Sequence, residues 1–242
     1  MNSFQAELDS IAREYHLSSE VQDKYIEEEC QIFAVSEIKK ILSLDDEILE
    51  LGLGDGVTTN ILSAIFKKYS VVEGTQLLYE HGLSSFPHVN FIHSFFENYT
   101  PHQRYDKVLA LHVFEHVDEP IQVMNQMRSW IEDDGELVII VPNSESIHRR
   151  IALEAGMIGS LDDLSPRDMK VGHQRVYSLA MLNEHLASAG YKVTESKGLF
   201  FKPFSNNQLL NLDINIIRAM NSISLKFPTE YAANLLVRAK LS

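Results

Sequence analysis

Apolar residues recur at helical spacing through the first 45 residues and then change to short runs. Phe4, Leu8, Ile11 and Tyr15 lie three or four residues apart, as on one face of a helix. From residue 48 onwards, short apolar runs typical of buried strands alternate with stretches of helical period. The runs occupy residues 48–51, 70–72, 89–93, 107–111 and 137–141, and two later ones occupy residues 191–201 and 231–240. The alternation predicts an α/β fold with a mostly parallel sheet covered by helices on both faces.

Helix signals fall between the predicted strands. Asp118 and Pro120 are favourable helix-start residues, and Gly190 is a favourable stop. Helices are predicted around residues 61–66, 121–131, 146–155, 179–189 and 206–225. We therefore expect a single domain over residues 1–242, in four parts. They are a helical N-terminal cap (1–45), a core (45–200), a helical insertion (202–228) and a final strand (229–242).

Composition places the chain among ordinary globular proteins. It has 242 residues, of which 45% are hydrophobic and 23% charged. The single cysteine, Cys30, excludes a disulfide framework and a cysteine-based metal cluster. The chain has neither a membrane-length apolar run nor the basic and apolar start of a signal peptide, so we predict a cytoplasmic protein with no membrane partner.

The charge of the chain argues against nucleic acid as a partner. The net charge is −13, and paired basic residues are isolated from one another, at residues 39–40, 67–68 and 149–150. Binding to a phosphate backbone needs a clustered cationic surface, because counterion release supplies much of the affinity. We therefore predict no nucleic-acid partner.

A glycine-rich turn follows the first predicted strand and carries the clearest chemical signal. Gly52, Gly54 and Gly56 allow positive φ angles and a close approach of the backbone to a ligand. The third glycine falls one place early for a dinucleotide-binding turn, and the lysine of a P-loop is absent. Glu50, just before the turn, would repel a phosphate and attract a cationic amino group. Glu73, at the tip of the second strand, suits a pair of ribose hydroxyls.

Together these residues predict a site for a nucleoside with an amino-acid tail. The alternative is a tight turn with two surface acids.

Several motifs in order resemble the class I S-adenosylmethionine (SAM)-dependent methyltransferases. Besides the glycine turn, residues 91–97 occupy the place of the family's third motif, with Ser94 where an aspartate is frequent. Residues 111–117 resemble the loop "LxxLEHV" of the ubiquinone-biosynthesis-like branch, and residues 135–143 resemble its "GGxLxxxVPN" strand. Residues 172–177 are similar to the "GHxRxY" stretch of bacterial members that act on cell-surface sugars or secondary metabolites.

The resemblance implies a fold, a cofactor and a set of site residues. The sheet would be Rossmann-like and seven-stranded, of order 3-2-1-4-5-7-6 with the last strand antiparallel. The cofactor would be SAM, with S-adenosylhomocysteine as product, and the acceptor a small molecule such as a sugar or secondary metabolite. The implied cofactor-binding residues are Glu50, Gly52, Gly54, Gly56, Glu73, Gly74, Ser94, Phe95, Leu111 and His112.

The acceptor is expected at the loops after the fourth and fifth strands, because ligands of open α/β sheets lie outside the carboxyl ends of the strands. His112, His116, His148 and His173 fall in or near these loops. We predict His112 and His116 as catalytic residues, and His116 has a structural alternative as a loop or helix-cap residue. The spacing of these two histidines suits a metal, but the motif H-E-x-x-H needs a glutamate at position 113, which is valine. The sequence therefore predicts no metal site.

Three features leave alternatives open. Tyr25 resembles tyrosines that reach the SAM carboxylate, but its helical spacing also suits core packing. Residues 172–177 suit either a polar lid or a connecting loop, and the apolar stripe of residues 202–228 suits packing, a lid or a homodimer surface. As a whole, the chain fits a methyltransferase for small molecules better than a protein methyltransferase, a non-catalytic SAM-binding module or an NAD-dependent oxidoreductase.

Overall fold

The computed structural model describes residues 3–18 and 20–242, and in this part of the chain seven strands form one sheet. The order is β3-β2-β1-β4-β5-β7-β6, as predicted. Strand β7 runs antiparallel to both of its neighbours, and the other pairs are parallel. The strands are β1 (Ile48–Leu51), β2 (Tyr69–Glu73), β3 (Asn90–His93), β4 (Tyr105–Leu111), β5 (Ile131–Pro142), β6 (Tyr191–Leu199) and β7 (Asn234–Leu241).

Helices cover both faces of this sheet. A π-helical turn, Ala12–His16, extends the first helix, and short 3-10 turns lie at Lys39–Ile41, Phe96–Asn98 and Thr229–Tyr231. The helices are α1 (Ser3–Ile11), α2 (Lys24–Ile38), α3 (Val57–Ser63), α4 (Gln76–Ser85), α5 (Pro120–Met127), α6 (Ile147–Glu154), α7 (Pro166–Lys170), α8 (Leu179–Ser188), α9 (Asn206–Leu209) and α10 (Ile214–Ser224). None of the helices in the described residues is long and apolar enough to cross a membrane.

Two predicted elements differ from the structure. The helix expected over residues 206–225 is two helices, because Asp213 starts a new one and accepts a hydrogen bond from the amide of Asn215 at 2.8 Å. The helical pattern expected as far as Ile131 ends at Met127, and Ile131 begins β5 instead. Ile131 pairs with Tyr105 of β4. The pairing of β4 with β5 shifts in register next to this point, and the alternation of apolar residues in the sequence does not show that shift.

The N-terminal helices and the 202–228 segment pack on each other at the carboxyl edge of the sheet. Buried Ile26 of α2 shares a cluster with Phe200, Leu209 and Ile217. Because β6 ends and β7 begins at this edge, the intervening helices are confined to the same side as the ends of β1 and β4. Tyr25 has the packing role, since its hydroxyl donates to the carbonyl oxygen of Leu210 at 3.0 Å.

Substitution of Gly198 by alanine is expected to destabilise the protein. A Cβ at Gly198 would lie 2.6 Å from the Cβ of Ala232 and 2.9 Å from the carbonyl oxygen of Thr229, and both neighbours are held by the backbone. Overpacking of this kind typically costs about 1–3 kcal/mol. Urea unfolding measures the loss, with Ser196→Ala in the same strand as control. Equal unfolding midpoints for the two variants would contradict the packing described here.

Candidate active site

The glycine turn after β1 has the backbone that its sequence requires. Gly52, Gly54 and Gly56 have φ angles of 77°, 52° and 75°, all in the left-handed region that side chains disfavour. A Cβ at Gly54 would meet no atom of the described residues within 4 Å, so the turn faces open space there. The turn leads directly into α3, whose first amides have no acceptor within the helix. It is thus a backbone cradle open to a ligand.

Glu73, at the end of β2, fixes the cradle in place. One carboxylate oxygen accepts a hydrogen bond from the amide of Leu53 at 2.8 Å, and the other accepts one from the amide of Thr75 at 2.7 Å. The residue is only 5% exposed. Since each carboxylate oxygen can accept more than one hydrogen bond, both keep capacity for a ligand.

Glu50 lies beneath the turn and is buried. One of its carboxylate oxygens accepts hydrogen bonds from the hydroxyls of Thr59, at 2.5 Å, and Tyr69, at 2.9 Å. Burial raises the pKa of Glu50 to about 7, and the nearby charge of Glu73 adds to the rise, against the lowering effect of the two hydroxyls. A cation brought to this carboxylate would therefore displace its proton near neutral pH.

Phe95 borders the cradle on the side of β3. A Cβ at Gly74 would lie 2.7 Å from the ring of Phe95, so the ring needs a glycine at this position. The amide of Ser94 donates to the carbonyl oxygen of Glu73 at 3.1 Å, and its hydroxyl donates to the carbonyl oxygen of Phe95 at 2.9 Å. Gly74, Ser94 and Phe95 therefore form one wall next to Glu73.

His112 follows Leu111, the last residue of β4, in a strained backbone conformation. Its φ of 57° is left-handed, and its amide donates to the carbonyl oxygen of Ile140 at 2.8 Å. Its Nδ1 lies 3.2 Å from Oε1 of the fully buried Glu115. Although the side chain is partly exposed, its partial loss of hydration lowers the pKa of His112, but the hydrogen bond and charge of Glu115 outweigh this and leave the pKa raised. Strain at such a residue is typical of functional sites.

His112, His116 and His173 all lower the pKa of the buried Glu115. His116 does not cap the next helix, because α5 begins at Pro120 with Glu119 before it. Its ring lies edge-on to that of His173, with 4.7 Å between the ring centroids, and burial lowers its pKa to about 4. His148 lies in α6, where burial lowers its pKa to about 3.

Residues 172–177 hold the loop after β4 from outside. The guanidinium of Arg175 donates to the carbonyl oxygens of Phe114, Val117 and Asp118. Tyr177 is fully buried and pairs with Asn143. The segment is therefore a connecting clamp rather than a polar lid.

Sequence reasoning missed the contacts between the N-terminal helices and the site. Nδ1 of His16 lies 2.8 Å from a carboxylate oxygen of Asp55 in the glycine turn. Arg167 pairs with Glu27, which also accepts a hydrogen bond from the hydroxyl of Tyr15 at 2.7 Å. These partners are far apart in the chain, and no local spacing connects them.

The strand order, the glycine turn and the acid at the end of β2 together define the class I SAM-dependent methyltransferase fold. The sequence matches the family described as "Methyltransferase domain" over residues 23–196. The chain belongs to this family.

Individual proteins that resemble the chain have low sequence identity to it. The malonyl-[acyl-carrier protein] O-methyltransferase of Halalkalibacterium halodurans is 25% identical over an alignment of 167 residues, and the match covers 61% of this chain and 61% of that protein. The match thus spans less than two thirds of that relative. A Thermotoga maritima structure, described as a SAM-dependent methyltransferase and possible histamine N-methyltransferase, superposes with a TM-score of 0.66 and 17% identity. The superposition covers 96% of this chain and 99% of that one. The complex of DhpI with SAH gives a TM-score of 0.59 at 17% identity, covering 98% and 95% of the two chains.

The raised pKa of Glu50 predicts a dependence of stability on pH. An acid whose pKa rises on folding, here from 4.5 to about 7, stabilises the fold at low pH, and this contribution is lost as the pH rises through that window. At about 1.4 kcal/mol per unit, the loss is about 3 kcal/mol. The difference in unfolding free energy between Glu50→Gln and the native protein should therefore change by that amount between pH 4.5 and 7.

Urea titrations at a series of pH values measure this difference. The exposed Glu154 provides a matched control as Glu154→Gln, which also removes one carboxylate. A difference for Glu50→Gln that stays constant over the whole window would contradict the pKa of Glu50.

Proposed function

We propose that this protein transfers a methyl group from SAM to a small-molecule acceptor. The observation that carries the proposal is the open cradle of left-handed glycines, which Glu73 fixes beside the loop of His112. Family membership supports the same function, as does the similarity to a structure described as a complex with SAH.

The residues around the cradle fit the chemical groups of SAM. Glu50 offers a buried negative charge for the amino group, and Glu73 keeps acceptor capacity for ribose hydroxyls. Phe95 offers an aromatic wall on the same side as Glu73. When bound, SAM supplies a methyl group that is already activated, so the work left to this chain is to orient the acceptor and exclude water.

Loop 111–118 provides the groups for the acceptor. His112 lies at the carboxyl end of β4 and is held through Nδ1 by Glu115, which leaves Nε2 for an acceptor proton. His116 is a weaker base, because burial lowers its pKa to about 4. We therefore assign the proton-removing or positioning role to His112 and leave His116 a minor part in it.

A second candidate acceptor is an acyl group attached to a carrier protein. The similarity to malonyl-[acyl-carrier protein] O-methyltransferase favours it. Methyl-labelled SAM incubated with the protein and fractionated extract separates the candidates. Label in free small molecules is the expected result. Label that mild base releases from protein as a small methyl ester would favour the acyl carrier, and label retained on protein would favour a protein methyltransferase.

The contact between Glu73 and ribose is testable by pairing a variant with a modified ligand. The native protein should bind 2′-deoxy-S-adenosylhomocysteine about 10- to 100-fold more weakly than the parent compound, because a hydrogen bond to a charged group is worth about 1.5–3 kcal/mol. In Glu73→Ala the two ligands should bind within a few-fold of each other. The comparison within one variant cancels the effect of losing the bond to Leu53.

Calorimetry measures the four affinities. Glu97→Gln changes an exposed glutamate and should retain the native discrimination. If Glu73→Ala discriminates between the ligands as the native protein does, then Glu73 does not contact the ribose.

His112→Asn should reduce turnover while preserving the cofactor site. Asparagine keeps hydrogen-bonding capacity but not basicity, and loss of a general base typically costs about 10²- to 10⁴-fold. A positioning role would give a smaller loss. Affinity for S-adenosylhomocysteine should stay within a few-fold of native, and His88→Asn, at an exposed position, serves as control. Unaltered turnover with the acceptor found by labelling would make His112 a structural residue.

A further inference from the structure

Glu115 and His116 of the proposed acceptor loop converge with His173. Each offers one ligand atom, and these atoms all lie within 4.8 Å of one another. Two of the residues belong to the loop after β4, and His173 comes from the segment after α7, far along the chain. Two imidazoles and one carboxylate form a donor set that zinc and related divalent ions bind in other proteins.

Of the three residues, Glu115 gives the strongest reason to expect a bound cation. Its side chain is fully buried, and Oε1 faces Nδ1 of His112 at 3.2 Å. Its other oxygen, Oε2, is buried and has no hydrogen-bond partner among the described residues. An unsatisfied, buried carboxylate oxygen is costly and uncommon in native structures. A metal ion at Oε2 would satisfy it.

His173 is oriented as metal-binding histidines usually are. Its Nδ1 lies 3.0 Å from a carboxylate oxygen of Asp168, which leaves Nε2 as the ligand atom. Asp168 is itself fixed, because it forms a capping box with Ser165 at the start of α7. At zinc sites a ligating histidine commonly donates its other ring N–H to a carboxylate, which raises the basicity of the ligand.

The two segments that carry the ligands are tied to each other. The amide of Gln174 donates to the carbonyl oxygen of Glu115 at 2.7 Å, and its side-chain amide donates to the carbonyl oxygen of His116 at the same distance. These bonds hold together the two backbone segments that carry the three ligand groups.

We propose that Glu115, His116 and His173 bind a divalent transition-metal ion, of which Zn²⁺ is the probe. Three protein ligands leave a coordination position for water or for an oxygen atom of the acceptor. Glu115 would then contact both the ion and Nδ1 of His112. This site departs from the absence of metal predicted from the sequence, and it does not depend on methyl transfer.

The test is metal binding by the full-length protein after treatment with EDTA and dialysis. Equilibrium dialysis should show one tight Zn²⁺ per chain, and Co²⁺ in its place should give the visible absorption of a low-coordinate site. His116→Gln and His173→Gln should each weaken Zn²⁺ binding at least 10-fold, and Asp168→Asn should weaken it about 10- to 100-fold. His88→Gln removes an exposed histidine outside the cluster and should bind as the native protein does.

Two results would overturn the proposal. One is native protein that retains no Zn²⁺ beyond that held by surface sites, in which case a water molecule satisfies Glu115. The other is equal Zn²⁺ affinity in His173→Gln and His88→Gln. The Co²⁺ spectrum of the native protein decides the matter even if a variant does not fold. Affinity for S-adenosylhomocysteine, measured on the same samples, tests the cofactor site separately, so failure of one proposal is distinguishable from failure of the other.

Discussion

The arrangement of the turns at the carboxyl edge of the sheet depends on the two hydrogen bonds that Glu73 accepts from backbone amides. By holding the amides of Leu53 and Thr75, this carboxylate joins the turn after β1 to the turn after β2. Three glycines in left-handed conformations have no side chains to pack, so the turn needs a fixed point elsewhere. The parallel pairing of β1 with β2 brings Glu73 to that place, and a shift of one residue would turn its side chain to the opposite face.

Three buried acids lie at this edge, and the protein satisfies each in a different way. Backbone amides offset the cost of burying Glu73, whereas Glu50 accepts hydrogen bonds from two hydroxyls of the described residues and its pKa rises to about 7. Glu115 has a histidine on one oxygen and no partner among the described residues on the other. A buried charge is stable only where hydrogen bonds or a counter-charge compensate its lost hydration. The proposed cofactor, which is cationic, and the proposed metal ion would supply positive charge where the chain itself supplies little.

Features fixed by local sequence were predictable, and those made by contacts between distant segments were not. The strand order follows from the alternation of apolar runs and the family resemblance, and the glycine turn from three residues in one stretch. The break in the helix over residues 206–225 was missed because apolar spacing continues across it, although Asp213 is a helix-start residue. The convergence of His173 with Glu115 depends on how residues 172–177 cross the loop after β4, which no spacing in the sequence encodes.

The hydrogen bonds of Arg175 to the loop after β4 explain how the strained backbone at His112 persists. A left-handed histidine costs about 1–3 kcal/mol and survives only where its surroundings determine the conformation. On one side, the amide of His112 is bound to Ile140 of β5, and on the other Arg175 holds three carbonyl oxygens of the following turn. The loop is thus fixed at both ends while the ring of His112 stays 40% exposed. Rigid backbone with an accessible ring is what an acceptor site needs, because methyl transfer requires the acceptor to be held in line with the donor.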